Sequence, residues 1–525
     1  MPFFSIVTPV YRPDPEALRA TITCVLGQSL TDWELVLVDD RSDDAGVGDV
    51  LGWAATTDDR VHVVERAVNG GIVAASNDGI EAATGTFIVL LDHDDLLAEG
   101  ALERVHDAIE QNPDADYLYT DEDKVDEDGN HYGVFRKPPW SPERLRGQMY
   151  TSHLSVLRTS LVREVGGFRS GFDGSQDHDL VLRVTERARR VVHVPEVLYH
   201  WRASAGSTAA DLHAKPYADD ARRRAVQEHL ERLGIAATTE IDPETTTVRI
   251  RRSLDAEQLV SVVIPTRGTG KLIWGEQRVL VVEAVRSLIE RGGHDNLEIV
   301  VVHDTDTPPV VLDRLRTLAG DRLVLLAYDR PFNFSEKCNL GVLAATSDLL
   351  LLLNDDTEIV SDNFVPDLVA PLLEDGVGMT GAHLMFADTS YQHVGLVFQG
   401  RWPHHLYRAV PRQSTGPFAI LRLNREVSGV TGACIGISRD VYNDVGGMTE
   451  QLPLNFNDVD FCLKVARCEK RILWISTARA YHFESQTREP TVAAWEQEFL
   501  RSRWEIPTTD PYLPDYLGRV DGHDS

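Results

Sequence analysis

Short apolar runs alternate with amphipathic stretches in both halves of this 525-residue chain. Each half opens with such a run, Phe3–Thr8 in the first and Leu259–Thr266 in the second, ending in a turn that contains proline. The further runs that we predict to be buried strands are Leu35–Val38, Val61–Val64 and Phe87–Leu91, then Ile299–Val302, Leu323–Leu326 and Leu349–Leu353. Strands that are apolar on both faces and separated by helices are typical of a mostly parallel sheet covered on both sides. The pattern therefore predicts the α/β fold class.

Between the first two strands of each half, apolar residues recur at the spacing of one helix face. The residues on these faces are Leu18, Ile22, Val25 and Leu26, and in the second half Val282, Val285, Leu288 and Ile289. The stretch 236–258 is rich in threonine and acids and has no helical period, so we expect a linker there, with a short hairpin through Thr247–Ile250. The predicted organisation is a domain over 1–235, this linker, a second domain over 259–510 and an acidic tail over 511–525.

Acidic motifs recur in the same order in the two halves. The matched anchors are Asp40 with Asp304, Asp94 with Asp356, Asp177 with Asp458, and His200 with His482. The first two anchors are separated by 54 positions in one half and 52 in the other, and the last two by 23 and 24. The middle interval differs, 83 against 102, which predicts an insertion in the second copy. Two copies of one unit predict two domains of one fold and two sites.

The composition of the chain limits the classes of binding partner that we expect. A formal net charge of −30 repels nucleic acids and anionic membranes, so we expect no nucleic-acid partner and at most peripheral contact with a membrane. Five scattered cysteines without a CxxC pair favour reduced thiols in a cytoplasmic protein. The first residues lack a signal-peptide pattern, and no apolar run reaches the ~18 residues that span a bilayer. Because a diphosphate is also negatively charged, we expect that this acidic protein needs a cation in order to bind a nucleotide diphosphate.

Carboxylates follow the fourth predicted strand of each half, in Asp92-His93-Asp94-Asp95 and in Asn354-Asp355-Asp356. Such groups emerge together at the sheet edge and repel one another unless a cation joins them. Hard oxygen ligands suit Mn²⁺ or Mg²⁺ bridging a diphosphate. The alternative is an acidic turn after a strand, and the recurrence in both halves favours the metal.

The other anchors have structural alternatives too. Asp40 and Asp304 end the second strand, where a carboxylate can hold a base or a ribose, or cap the next turn. Asp177 and Asp458 each precede an amphipathic stretch, as a general base or as a helix cap. His200 and His482 follow an apolar strand, and their recurrence favours a metal or diphosphate role over a purely structural one. Arg202, Lys337 and Arg488 are weaker candidates for neutralising phosphate.

The ordered motifs TPVYRP, VDDRSDD, NGGIVAASN, LLDHDD, YLYTDEDKVDEDG, GGFRSGFDGSQDHDLVLRV and VLYHWR resemble a family 2 glycosyltransferase of the GT-A fold. The second half is similar through IPTRG, PFNFSEKCNLG, LLLNDDTEI, QHVGLVF, VTGACIGISRDVYNDVGGM, FNDVDFCLKV and AYHFES. The chain most resembles the tandem enzymes of bacterial O-antigen and surface polysaccharide synthesis, many of them rhamnosyltransferases. The resemblance implies tandem Rossmann-like, nucleotide-diphospho-sugar transferase domains.

The same resemblance implies an inverting, metal-dependent transfer from a UDP- or dTDP-sugar to a glycan or lipid-linked acceptor, at or near the cytoplasmic face of the membrane. It places Asp94, His200, Asp356 and His482 at the metal, and Asp177 and Asp458 as catalytic bases. The residues that it places along the nucleotide-sugar are Thr8, Pro9, Tyr11, Asp39, Asp40, Asn69, Asp92 and Arg202, then Pro265, Thr266, Asp304, Lys337, Asn354 and Asp355.

The sequence departs from the family pattern at a few places. The second half has His303 in place of Asp39 and Asn354 in place of Asp92, so its nucleotide contacts or its metal affinity are expected to differ. Gln176 and Asn457 stand where many relatives carry Glu before the base. Three hypotheses remain open: two active transferase domains, one active domain beside an acceptor-binding or structural one, and, less favoured, a sugar-phosphate nucleotidyltransferase.

Overall fold

The computed structural model describes residues 1–202, 216–483 and 492–513. The chain forms two compact units. The first comprises Met1–Ser141, Leu145–Gly234 and Thr239–Val248, and the second comprises Pro142–Arg144, Ile235–Thr238 and the residues from Arg249 onward. The candidate Arg488 and most of the predicted acidic tail lie outside the described residues.

The first unit has nine strands and eight helices in its described part. Its strands are β1 (Phe4–Val10), β2 (Trp33–Asp39), β3 (Val61–Glu65), β4 (Phe87–Leu90), β5 (Leu96–Leu97), β6 (Ala115–Val125), β7 (His131–Phe135), β8 (Ser155–Arg158) and β9 (Arg190–Arg202). Its helices are α1 (Pro15–Leu26), α2 (Ala45–Thr57), α3 (Gly71–Ala82), α4 (Ala101–Gln111), α5 (Pro142–Gly147), α6 (Thr159–Glu164), α7 (Gln176–Thr185) and α8 (Pro216–Arg232). A two-stranded sheet follows, made of β10 (Ala237–Ile241) and β11 (Val248–Arg252), where the sequence predicts a linker with a hairpin.

The second unit repeats the alternation of strands and helices. Its strands are β12 (Val260–Thr266), β13 (Gly270–Ile273), β14 (Glu276–Val279), β15 (Leu297–Asp304), β16 (Leu323–Tyr328), β17 (Leu349–Leu353), β18 (Thr357–Ile359), β19 (Val377–Met385), β20 (Tyr391–His393), β21 (Leu396–Gln399), β22 (Trp402–His405), β23 (Arg425–Glu426), β24 (Cys434–Ser438) and β25 (Arg471–His482). Its α-helices are α9 (Leu280–Arg291), α10 (Pro309–Ala319), α11 (Phe334–Ala344), α12 (Phe364–Val369), α13 (Arg439–Asp444), α14 (Asn457–Arg467) and α15 (Ala494–Arg503).

The two main sheets have one topology. The strand order is β3-β2-β1-β4-β8-β6-β9-β5 in the first unit and β16-β15-β12-β17-β24-β19-β25-β18 in the second. In each, the first four strands of this order are parallel, and the fifth runs antiparallel to its neighbours. This confirms the predicted fold class, two α/β domains with the architecture expected of GT-A domains.

Matched glycines hold a helix against the central strand in each unit. A Cβ built on Gly79 of α3 would lie 2.5 Å from Val7 of β1, and one on Gly341 of α11 would lie 2.3 Å from Val263 of β12. Only glycine permits so close an approach of the helix to the sheet. The helix after the third strand therefore lies flat on the sheet in both copies, with its N-terminus at the carboxyl edge.

The predicted insertion lies in one connection of the second unit. From β6 to β8 the first unit uses 29 residues (126–154), whereas from β19 to β24 the second uses 48 (386–433). The longer connection contains β20, the hairpin of β21 and β22, and β23. Within the described ranges, no helix is long and apolar enough to cross a membrane.

Candidate active sites

A cleft of about 560 Å³ opens at the carboxyl edge of the second unit's sheet. Seven predicted residues line it: Pro265, Thr266, Asn354, Asp355, Asp356, Asp458 and His482. They come from the ends of β12, β17 and β25 and from the first turn of α14. The ends of parallel strands meet at one edge, which is where open α/β sheets bind their ligands. We call this space the second-unit cleft.

His482 is held by Gln392 so that one ring nitrogen faces Asp356. Gln392 Nε2 donates to the carbonyl oxygen of His482 at 3.2 Å, which fixes the amide, and its Oε1 lies 2.8 Å from His482 Nδ1. Since an amide oxygen only accepts, Nδ1 carries the proton. Nε2 then presents a lone pair 3.1 Å from Asp356 Oδ1. Two facing lone pairs require a proton or a metal cation between them.

The side chain of Asn354 lies beside this pair and is its third polar group. Its Oδ1 is buried and has no hydrogen-bond partner in the part of the chain that the structure describes, and its amide nitrogen lies 3.4 Å from His482 Nε2. A carboxylate, an amide oxygen and an imidazole nitrogen form a donor set that accepts a divalent cation such as Mn²⁺. Asn354, Asp356 and His482 therefore fit a bound metal.

Asp355, between the two candidate ligands, faces the opposite way. Its Oδ2 accepts from the hydroxyl of Thr266 at 2.6 Å, and Thr266 Oγ1 in turn accepts from the backbone N–H of Gly268 at 2.9 Å. Burial and the neighbouring Asp356 raise the pKa of Asp355 to about 7. Asp355 thus joins two turns of the cleft floor.

Asp458 lies in the first turn of α14, on the wall of the second-unit cleft. The backbone N–H of Gly432 donates to its Oδ2 at 3.0 Å, and that of Val459 to its Oδ1 at 2.9 Å. Both bonds fix the direction of the carboxylate, and each oxygen has a further lone pair. The geometry suits a group that takes a proton from a ligand in the cleft.

The inserted connection supplies part of the cleft wall, including His405, which sequence reasoning missed. His393 Nε2 accepts from the backbone N–H of Thr431 at 3.2 Å, so its proton is on Nδ1, which lies 3.0 Å from His405 Nδ1. Burial, first of all, holds the pKa of His393 well below its usual range. The proton of His405 is therefore on Nε2, as a donor at the cleft. No repeat in the first half marks this pair.

Asp304 and Lys337 do not line the second-unit cleft. The Lys337 ammonium is fully buried, forms an ion pair with Asp304 and donates to the carbonyl oxygen of Thr266 at 2.7 Å. Burial lowers the pKa of Lys337, while Asp304 acts in the opposite direction. Arg267 lies 3.7 Å from the other oxygen of Asp304. Through the bond to Thr266, which lines the cleft, the ion pair of Lys337 and Asp304 stabilises the backbone of the cleft wall.

The first unit uses its fourth-strand acids differently. Asp95 is buried, and its two oxygens accept from the Tyr199 hydroxyl at 2.6 Å and from the backbone N–H of Arg202 at 2.8 Å. The Arg202 guanidinium donates to the carbonyl oxygen of Asp94 at 2.8 Å. Burial raises the pKa of both Asp94 and Asp95, and the charge of Asp92 raises both further. The ionised carboxylates of this cluster repel one another, and a bound cation would relieve this repulsion.

His200 does not face Asp94 in the way that His482 faces Asp356. In the first unit His200 pairs with the residue two positions after Asp94, whereas in the second His482 pairs with the residue one position after Asp356. Because successive side chains of a strand point to opposite faces, a slip of one residue turns the imidazole to the other side. The structure therefore does not bring the predicted metal pair of the first unit together.

His200 instead joins a separate cluster with Asp123 and His131. The Oδ1 and Oδ2 atoms of Asp123 lie 2.6 Å from His200 Nδ1 and 3.0 Å from His131 Nδ1. These three residues present ligand atoms within 4.8 Å of one another. They form one of two such groups in the described ranges, and neither group contains Asp94.

The other group consists of Asp92, Asp95 and His153. His153 precedes β8 and was missed by sequence reasoning, because the register of β8 against β4 and of β24 against β17 matches it to Ala433 in the second copy. Asp177, in the first turn of α7, is close enough for their charges to act on it. Its pKa is raised to about 6, by burial first and then by the charge of Asp92, while His153 acts in the opposite direction. Asp177 is thus poised for proton transfer near neutral pH.

Asp40 holds the start of α3. Its carboxylate accepts from the backbone N–H groups of Gly70 and Gly71 at 2.8 and 2.7 Å and from Arg66 at 2.5 Å. Asn69 donates to the carbonyl oxygen of Asp40 at 3.0 Å. Asp40 therefore has the structural role considered as the alternative for it, because it caps the N-terminus of α3. Oδ2 of Asp40 accepts only from Gly71 among these donors, so it keeps a lone pair that a base could use.

The remaining candidates of the first unit surround the end of β1. Asp39 accepts from the hydroxyl and the backbone N–H of Ser42 at 2.6 and 3.1 Å. His93 Nδ1 lies 3.0 Å from the carbonyl oxygen of Pro9, and Tyr11 is 44% exposed. Thr8 Oγ1 is buried and has no hydrogen-bond partner within the described part of the chain. Tyr11 is therefore accessible to a ligand, whereas Thr8 is fully buried.

Two curated proteins are similar in sequence to this chain over nearly its full length. Uncharacterized protein y4gI of Sinorhizobium fredii is 40% identical over 518 residues, which are 96% of this chain and 56% of y4gI. The O-antigen biosynthesis protein RfbC of Myxococcus xanthus is 32% identical over 522 residues, 98% of this chain and 40% of RfbC. The chain thus spans about half the length of these curated relatives, or less.

Among solved structures, TarS 1-349 of S. aureus in complex with UDP-GlcNAc is 19% identical, with a TM-score of 0.37 over 44% of this chain and 66% of that one. The sequence model described as Glycosyl transferase family 2 matches residues 5–166 and 261–446, one segment in each unit and most of the chain together. The expectation drawn from the motifs is therefore confirmed: the chain belongs to glycosyl transferase family 2, with one copy of the family domain in each half.

Proposed function

We propose that this chain transfers sugars from UDP- or dTDP-sugars to a bacterial surface polysaccharide or a lipid-linked glycan, with inversion at the anomeric carbon. The observation that carries the proposal is the second-unit cleft, in which Asp356, His482 and Asn354 converge beside the candidate base Asp458. The similarity to RfbC, an O-antigen biosynthesis protein, supports this class of acceptor.

In the second unit, Asp458 takes the proton of the acceptor hydroxyl as that oxygen attacks the anomeric carbon. The backbone N–H groups of Gly432 and Val459 keep its carboxylate directed at the cleft. A positioned base contributes about 10²–10⁴-fold to such a rate. Mn²⁺ or Mg²⁺, when held by Asn354, Asp356 and His482, would supply positive charge for the leaving diphosphate.

We propose that the first unit is a second transferase with a different arrangement. Asp177 is the candidate base, and a cation there would be held by Asp92, Asp95 and His153. The predicted ligands Asp94 and His200 stay a proposal, since a metal bound by Asp94 would have to engage its carboxylate without His200. Two different sites on one chain would give a product with two linkages.

The second hypothesis, one active domain beside an acceptor-binding one, is favoured by the register difference at His200. Separate Asp177→Asn and Asp458→Asn variants, at the candidate base of each unit, distinguish the two. Each loses one linkage if both units are enzymes, and one of them is silent if its unit is passive. Asp362→Ala, at an acid whose side chain is 91% exposed in the second unit, serves as the control.

The decisive assay is a donor screen with manganese that reads the released nucleotide. Release of nucleoside diphosphate from the wild type, lost in Asp458→Asn, supports glycosyl transfer. Release of pyrophosphate would indicate a nucleotidyltransferase and overturn the proposal. No turnover of any UDP- or dTDP-sugar with a glycan acceptor would overturn it as well. Action at the cytoplasmic face of the membrane stays a prediction, which fractionation of cells tests.

A further inference from the structure

A small cavity in the second unit is lined by arginines and lies apart from the residues of the second-unit cleft. Its volume is about 60 Å³, and Arg249, Arg251, Arg422 and Arg479 border it together with His383. None of these residues lines the cleft. We call this space the arginine cavity.

The concentration of positive charge in the arginine cavity is unusual for a chain with a net charge of −30. Arg251 is balanced by Asp367 at 3.0 Å. Arg479 has no carboxylate within 4.0 Å in the described part of the chain. Burial lowers the pKa of the Arg479 guanidinium, and the charges of Arg412, Arg251, Arg249 and Arg422 lower it further, in that order. A guanidinium that has like charges around it and no carboxylate beside it, as Arg479 has, costs stability, and an anionic ligand would offset this cost.

His383 supplies a second, independent observation. It is 4% exposed, and its Nε2 is buried without a hydrogen-bond partner among the described residues. Its ring is stacked on Tyr391, with the ring centres 5.0 Å apart, so the imidazole is fixed in place. A buried polar atom without a partner is rare in proteins and indicates a missing water or ligand. Nδ1 of His383 lies 3.4 Å from the carbonyl oxygen of Ser476, so Nδ1 carries the proton and Nε2 accepts. The arginine cavity therefore suits an anion that also carries a hydroxyl proton, as hydrogen phosphate does.

The volume limits the size of that occupant. A water molecule needs about 10–15 Å³ of such space, so 60 Å³ accommodates roughly four to six atoms of oxygen size. A phosphate group has this size, and its oxygens match the fork of a guanidinium in bidentate pairs. A nucleobase or a sugar ring is too large.

We propose that the arginine cavity binds a phosphate group, from a soluble phosphate or from a lipid headgroup. The planar guanidiniums of Arg422 and Arg479 hold the anion, and Arg249 and Arg251 add charge at its rim. This site does not depend on the proposed transfer reaction, because its residues are not those of the second-unit cleft.

The test compares the full-length wild type with Arg479→Gln, and with Arg316→Gln as a matched control on the surface of the same unit. Arg316 is exposed and pairs with Asp313. Inorganic phosphate is titrated calorimetrically in EDTA, so that no cation carries phosphate into the acidic cleft. In a parallel arm, the proteins are floated with phosphatidylcholine vesicles with and without phosphatidic acid.

We expect the wild type and Arg316→Gln to bind phosphate, or the acidic vesicles, at least tenfold more tightly than Arg479→Gln. Binding of phosphate alone identifies a soluble source, and binding of acidic vesicles alone identifies a lipid headgroup. Equal affinity in wild type and Arg479→Gln, or no binding in either arm, overturns the proposal.

Two further measurements separate a binding role from a structural one. Without phosphate, Arg479→Gln should melt at the same temperature as the wild type or higher, since it relieves the repulsion between arginines. A lower melting temperature would show that Arg479 holds the fold together, and would overturn the proposal. Arg479→Lys, which keeps the charge but loses the fork, should fold normally and bind phosphate more weakly than the wild type.

Discussion

Replacing Asp177 by Asn should abolish proton transfer in the first unit and at the same time stabilise that unit. The environment raises the pKa of this carboxyl from 3.8 to about 6, by burial first and then by the charge of Asp92. At 1.36 kcal/mol per pKa unit, the ionised form costs about 3 kcal/mol in the folded state above pH 6. Asparagine has the same shape without the charge, so the variant avoids this cost.

The sign of the pH dependence follows from linkage. A pKa that is higher in the folded state means that folding is favoured at low pH and is weakened as pH rises from about 4 to about 6. The stabilisation by Asp177→Asn should therefore grow from about 1.6 kcal/mol at pH 5 to about 3 kcal/mol at pH 8. For a unit of this size, 3 kcal/mol corresponds to a melting temperature higher by about 6–12 °C.

Asp179, two residues further along α7, is the matched control. Its buried carboxylate accepts from Arg169 at 3.1 Å and from Arg183 at 2.7 and 3.0 Å. Removing one member of a buried ion pair leaves the other charge uncompensated, so Asp179→Asn should destabilise the unit by about 3–5 kcal/mol. Two neighbouring aspartates are thus expected to give opposite results.

Differential scanning calorimetry of the full chain in EDTA, from pH 5 to pH 8, measures both variants. The transition that Asp179→Asn lowers identifies the first unit, and Asp177→Asn should raise that same transition. Should Asp177→Asn melt lower than the wild type, or melt higher by an amount that does not change with pH, the electrostatic reasoning is refuted.

Three further outcomes are expected. Gln392→Ala frees the His482 ring, so the affinity for Mn²⁺ measured by electron paramagnetic resonance should fall about 10–100-fold, whereas Gln399→Ala should leave it unchanged. His405→Phe removes a donor from the second-unit cleft, so steady-state kinetics should show a higher KM for the acceptor and an unchanged KM for the donor; an unchanged acceptor KM would contradict the proton placement. His153→Ala removes the group that lowers the pKa of Asp177, so the acid limb of the first unit's pH–rate profile should move to higher pH; a profile that stays in place would exclude that interaction.

The parallel part of each sheet could be predicted from sequence because its strands are buried on both faces and therefore apolar throughout. The strand β6 (Ala115–Val125) was not predicted, since its second half reads Thr-Asp-Glu-Asp-Lys. Those acids are compensated only in the fold: Lys137, fully buried, lies 2.8 Å from Glu122, and His193 lies 2.8 Å from Asp121. Long-range partners of this kind leave no periodic signal.

The sequence repeat identified the candidate site residues that both copies share. It could not identify site residues that occur in only one copy. Asp356, Asp458 and His482 lie on one cleft because their sequence spacing reflects a common fold. His153 and Gln392 were missed, because each stands in one unit beside the candidate ligands without a match that the motifs reveal. Residue identity alone also does not determine strand register, and this is why His200 was expected beside Asp94.

The register of β9 against β5 differs by one residue from that of β25 against β18, which gives a physical reason for the two candidate sites to differ. A slip by one residue changes the face to which the following side chains point, so a histidine that recurs in both halves can leave the cluster without being substituted. His200 then contacts Asp123, while His153, which precedes β8, lies beside Asp92. Each unit thus keeps one imidazole near its acids, yet from a different direction. Two transferases with different cation sites would account for this difference, and so would one active unit beside a passive one, so the decision rests on the separate variants of the two candidate bases, Asp177 and Asp458.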